Sequence, residues 1–137
     1  MIVGIEWLIE AFDCDAEKLR DARVLRAIFS RVIDDLNLKT VGESVWHKFD
    51  GAGGVTGLVA LTESHLACHT YPEYRTATFN LYCCRRRADW NWTEILTETL
   101  GAKNVKIQKI ERGAEILSLN SQPEIQNLKS KIVGGKR

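Results

Sequence analysis

A chain of 137 residues, 45% hydrophobic and with two prolines, is long enough for one compact domain with its own core and too short for two. Its 19 basic and 18 acidic residues leave a net charge of +1, which gives no electrostatic case for nucleic acid or an anionic membrane surface. No stretch reaches the roughly 20 apolar residues of a membrane-spanning helix, and Met1-Ile2-Val3-Gly4 carries neither a basic leader nor a cleavage site, so a cytosolic protein is expected.

In chain order, Ile2 to Phe12 reads as a strand with Glu6, Leu8 and Glu10 on one face. Asp13 or Asp15 can cap a following helix, in which Val24, Leu25, Ile28, Phe29, Val32 and Leu36 recur at helical spacing. Asn37 to Thr40 turns the chain into a second strand, with Val45, His47 and Phe49 opposite Ser44, Trp46 and Lys48. The loop Asp50-Gly51-Ala52-Gly53-Gly54 lacks the lysine and hydroxyl residue of a P-loop and leads into a strand, Val55 to Leu61, so it reads as a hairpin connection.

Strands at His65 to His69 and Arg75 to Cys84 flank a turn at Tyr71-Pro72-Glu73. In the second of these, Ala77, Phe79, Leu81 and Cys83 alternate with Thr78, Asn80, Tyr82 and Cys84, which turns the two adjacent cysteines to opposite faces. Arg85-Arg86-Arg87 reads as a solvated loop. Asp89 or Asn91 starts a helix with Trp92, Ile95, Leu96 and Leu100 inward and Gly101 at its end. Val105 and Ile107, with Ile110 as a further candidate, form a last strand; periodicity fades from Gly113, and 114–137 reads as a loosely ordered tail. This order of elements predicts an α+β sandwich, an antiparallel sheet covered by helices on one face.

Cys14, Cys68, Cys83 and Cys84 form no CxxC pair and are expected to be thiols. A zinc site drawn from Cys68, His69, Cys83 and Cys84 matches no usual structural spacing, so no metal is expected.

The residues Glu63-Ser64-His65-Leu66-Ala67-Cys68-His69-Thr70-Tyr71-Pro72-Glu73-Tyr74, with Cys84 downstream, carry the chemistry. They resemble the ESHxxxHTxPEY signature of the bacterial and archaeal S-adenosylmethionine decarboxylases, and the likeness extends over residues 4 to 113. The resemblance implies that the Ser64 hydroxyl attacks the Glu63 carbonyl and that the resulting ester undergoes β-elimination. Ser64 then becomes a pyruvoyl group, and the single domain 1–137 is split into 1–63 and 64–137. No standard side chain offers a carbonyl electrophile; a ketone can form a Schiff base with a substrate amine and take up electrons as carbon dioxide leaves. Nothing in the chain suggests a site for pyridoxal phosphate.

The same resemblance assigns roles to further residues. Ser64, His69 and Cys84 are the implied catalytic set, His69 as the group that handles protons and Cys84 as the acid that protonates the product. Glu63, Ser64, Thr56 and His69 are implied in self-processing, with the Thr56 hydroxyl polarising the Glu63 carbonyl. Cys83 is expected to be a buried bystander, and His47 and His65 to be structural. Phe49, Tyr71 and Glu73 are implied in substrate binding, Glu73 on ribose hydroxyls and Phe49 near a purine ring.

The chain departs from the family pattern at Tyr71, where tryptophan is usual, at Arg85, where glycine usually follows the cysteine, and in the loop 50–53. These changes touch the nucleoside pocket more than the processing residues. The implied function is therefore a pyruvoyl-dependent decarboxylase of polyamine biosynthesis, needing no metal and homodimeric through its sheets, with S-adenosylmethionine as favoured substrate. Arginine or ornithine is the alternative, for which Glu6 and Glu10 would suit a cation; a non-catalytic binding or regulatory relative is the other.

Overall fold

The computed structural model describes residues 1–113, so the tail expected at 114–137 lies outside the described residues. Its six strands are β1 (Gly4–Phe12), β2 (Val45–Lys48), β3 (Val55–Leu61), β4 (Ser64–Tyr71), β5 (Thr76–Cys83) and β6 (Asn104–Arg112). They form one sheet in the order β2-β3-β4-β5-β1-β6, with every neighbouring pair antiparallel. The helices are α1 (Ala16–Leu19), α2 (Ala22–Asp35) and α3 (Trp92–Leu100).

Alternation decides which face of the sheet is covered. Ile5, Trp7, Ile9 and Ala11 of β1 and Ala77, Phe79, Leu81 and Cys83 of β5 are buried, and they pack with Leu25, Ile28, Phe29 and Val32 of α2 and Trp92, Ile95, Leu96 and Leu100 of α3. Each large apolar side chain buried here contributes roughly 1.5–3 kcal/mol relative to exposure, an upper figure because unfolded chains are partly compact. The expected α+β sandwich is thus the observed one. The opposite face carries Glu6, Leu8, Glu10, Thr56, Leu58, His65, His69, Asn80 and Tyr82, and no helix among the described residues covers it.

Three local expectations need correction. The helix after the first strand is two helices: Asp15 caps α1 by accepting from the Glu17 N–H at 2.9 Å, and Asp21 caps α2 by accepting from the Arg23 N–H at 3.0 Å. Asp21 competes with the helical backbone for a donor and so breaks the run. Asp13, with φ of 55°, is a turn residue and not a cap. The last strand does include Ile110, which pairs with Glu6 on the uncovered face, whereas Val105 and Ile107 pair with Ala11 and Ile9 on the core side. Phe49 lies just beyond β2, its N–H donating to the Gly54 carbonyl at 2.8 Å to close the 50–54 loop.

Two glycines permit close approaches that position the site. A Cβ on Gly54 would sit 2.5 Å from the Thr70 carbonyl oxygen, and one on Gly57 would sit 2.3 Å from the Trp46 ring. Thr70 is buried and satisfied twice, donating to the Leu19 carbonyl at 2.7 Å and accepting from the Val55 N–H at 2.8 Å. That residue pins the far end of β4 to α1 and to the start of β3.

Candidate active site

The Glu63-Ser64 bond lies at the β3–β4 hairpin. Leu61 pairs with Ser64, so Thr62 and Glu63 are a two-residue turn, and neither has the positive φ of the primed turns that suit such hairpins. The Glu63 carbonyl accepts from the Cys84 backbone N–H at 2.7 Å, because the pairing of β4 with β5 brings Ser64 opposite Cys83. A backbone donor so placed can stabilise negative charge on the carbonyl oxygen. The Glu63 side chain is held by Arg85, Nε to Oε1 at 2.6 Å.

The cysteines separate as alternation predicts: Cys83 is buried and Cys84 exposed. Cys83, expected to be a bystander, lies opposite Ser64 across the β4–β5 pair, and the serine hydroxyl acts on its thiol. Burial is the largest influence on it and pushes its pKa up, opposed by Ser64 and Arg87, so it stands as a neutral thiol beside the serine. Cys84 contributes its backbone N–H at this point. Ser64 was easy to find from its motif; the Cys84 N–H left no signal, because a backbone donor is identified only by strand register.

A second group of expected residues lies at the opposite end of β4. Phe49, Thr56, His69, Tyr71 and Glu73 line one cavity of about 500 Å³ together with the 50–54 loop. Across the β3–β4 pair, Thr56 Oγ1 and His69 Nδ1 are 3.0 Å apart in a hydrogen bond. His47 and Phe49 meet edge to face with centroids 4.5 Å apart, which places an aromatic surface at the cavity mouth. The residues expected in processing and binding are therefore not gathered in one place. Ser64 and His69 are five positions apart on one strand, about 17 Å at roughly 3.4 Å per residue, and face opposite sides of the sheet.

Glu6 and Glu10 both lie on the uncovered face, as expected, but in different circumstances. Glu6 accepts from Asn80 and from Arg112, each at 2.6 Å, and Asn80 Oδ1 in turn is 3.0 Å from His65 Nε2. The Asn80 amide first, and the Arg112 guanidinium after it, hold the Glu6 carboxyl below its usual range. Its charge is already engaged, which makes it a poor receptor for a cationic substrate. Glu10 lies in the same cross-strand row as Thr78 and His69. The quartet once considered for zinc is divided by the sheet, with Cys68 and Cys83 in the core and His69 on the other face. Among the described residues no group of three or more His, Cys, Asp or Glu is placed to hold a metal ion.

A serine on a tight hairpin, with its upstream carbonyl accepting from a neighbouring strand and an open antiparallel sheet behind it, fits the class of pyruvoyl-dependent decarboxylases. Residues 5–113 match the family described as S-adenosylmethionine decarboxylase, and the chain belongs to that family. Among its relatives, an arginine decarboxylase proenzyme of Aeropyrum pernix is 32% identical over 90% of this chain and 94% of its own length. An S-adenosylmethionine decarboxylase proenzyme of Pyrococcus furiosus is 32% identical over 82% of this chain and 81% of its own. A crystal structure of the adenosylmethionine decarboxylase from Aquifex aeolicus superposes with a TM-score of 0.69 at 26% identity, covering 83% of this chain and 93% of that one.

Proposed function

We propose that the chain cleaves itself between Glu63 and Ser64 and that the product decarboxylates S-adenosylmethionine. The observation that carries this reading is the Cys84 N–H on the Glu63 carbonyl at 2.7 Å, within a two-residue turn that leaves the bond accessible. The residues present fit a pyruvoyl group at position 64. When formed, that ketone supplies an electron sink for loss of carbon dioxide from a bound amino acid. The remaining work falls to this chain's side chains: Phe49 and Tyr71 offer π-faces to a purine, the Glu73 carboxylate accepts from ribose hydroxyls, and Cys84 and His69 hold and move protons.

The 17 Å or so between Ser64 and His69 on one strand favours a site completed by a second copy. In the proposed homodimer the uncovered faces meet about a two-fold axis, and one protomer's Phe49–Thr56–His69–Glu73 cavity serves its partner's residue 64, which cleavage turns from a core-side strand residue into a free chain end. The uncovered face suits this because Val45 and Leu58 are 66% and 48% exposed upon it and pair with each other across β2 and β3.

Two experiments test the proposal. Intact mass of the denatured protein separates a cleaved from an uncleaved chain, and uncleaved yet fully active protein would defeat it. Mixing Ser64→Ala with His69→Ala chains should restore activity neither has alone; no restoration from verified mixed dimers would reject the shared site. The Aeropyrum relative favours a second reading, arginine decarboxylation, and carbon dioxide release from S-adenosylmethionine, arginine and ornithine decides between them.

A further inference from the structure

Resting on the self-processing reading, we propose that Lys39, Arg85 and Arg87 form the receptor for the carboxylate that cleavage creates at Glu63. These three cations share a cavity of about 450 Å³ with Asn37, Thr62 and Glu63 itself. Lys39 is tied to the hairpin because its carbonyl accepts from the Thr62 N–H at 2.9 Å. Arg85 already grips the Glu63 side chain at 2.6 Å. Arg87 Nε is buried with no hydrogen-bond partner among the described residues, its guanidinium having only the weakly accepting Cys83 thiol beside it, so an arriving oxygen acceptor would improve its pairing. Glu63 is the one acid lining the cavity, so three positive groups face one negative group before cleavage.

Processing delivers the missing acceptor. Ser64 Oγ bonds to the Glu63 carbonyl carbon as the Glu63–Ser64 C–N bond breaks, and the freed nitrogen takes the hydroxyl proton. Loss of the Ser64 Cα proton then expels the Glu63 carboxylate as the Oγ–Cβ bond breaks, leaving dehydroalanine. Its imine tautomer takes up one water and releases ammonia to give the ketone. Negative charge develops on the departing Glu63 oxygens during the elimination, and the cations lower the energy of that charge. Afterwards they retain the new terminus of 1–63 beside the site. The arginine run, read from sequence as a solvated loop, thereby gains a role as positioning residues.

Ester and amide forms have the same mass, but hydroxylamine cleaves only the ester and leaves a hydroxamate at Glu63. Freshly synthesised chains are followed by denaturing intact mass with and without hydroxylamine. Lys39→Met/Arg87→Met should accumulate hydroxylamine-sensitive chain as elimination slows about tenfold, the scale of one lost charge-assisted contact. Arg87→Lys should bring the rate back toward wild type, which a purely steric role would not. Arg85→Met alters a side chain that is 69% exposed, leaves the core untouched, and should show a smaller excess of ester. Unchanged ester levels in Arg85→Met and in the double variant, with wild type cleaved, would overturn this inference alone. An uncleaved wild type would sink the parent reading as well.

Discussion

Replacing Cys84 by proline removes one hydrogen atom of interest, the N–H that points at the Glu63 carbonyl from 2.7 Å. Strand β5 ends at Cys83, so no other sheet hydrogen bond is lost, and the extended conformation of Cys83 is the one that precedes proline comfortably. A single donor to a developing oxyanion is worth roughly 100- to 1,000-fold in rate, about 2.7–4 kcal/mol, and the partly exposed turn puts this one at the lower end. Cys84→Pro should therefore process about 100-fold more slowly than Cys84→Ala, which keeps the N–H while losing the same thiol. The assay is a time course of denaturing intact mass after synthesis, with circular dichroism melts to show that both variants fold. Equal cleavage rates in two folded variants would refute a role for this donor.

Thr70→Val preserves shape but strands the Leu19 carbonyl and the Val55 N–H, so about 2–4 kcal/mol of stability should be lost, a fall in Tm on the order of 10–20 °C; an unchanged melt would reject the double bond. Burial raises the Cys14 thiol to about 11 and Cys68 to about 12 from the ordinary 9.0. Above pH 9 the unfolded chain releases these protons while the folded chain keeps them, so stability should fall as pH rises from about 9 toward 11. Urea melts across that range check the sign, and Cys14→Ala/Cys68→Ala should flatten the decline. Glu73→Gln should raise KM for S-adenosylmethionine by roughly 10- to 100-fold through weakened ribose contacts, measured as carbon dioxide release. A clear preference of the wild type for arginine would remove the nucleoside reading while leaving the chemistry at Ser64 in place.

The proposed processing pair was legible in the sequence, through its motif, because it is local: the Ser64 hydroxyl and the Glu63 carbonyl are covalent neighbours. Period-two alternation likewise determined that Cys83 is buried and Cys84 exposed, and helical spacing marked the inward stripes of α2 and α3. What the sequence could not show depends on register between strands, a non-local quantity. Pairing of Ser64 with Cys83 is what brings the Cys84 N–H onto the Glu63 carbonyl and sets Cys83 opposite the serine. Pairing of Thr56 with His69 joins those two side chains at 3.0 Å and, by the same ladder, holds them far from the serine they were expected to surround. A motif compressed into a dozen residues reads as one site, but an extended strand spreads it over two, because each residue of a strand adds about 3.4 Å and turns its side chain to the other face.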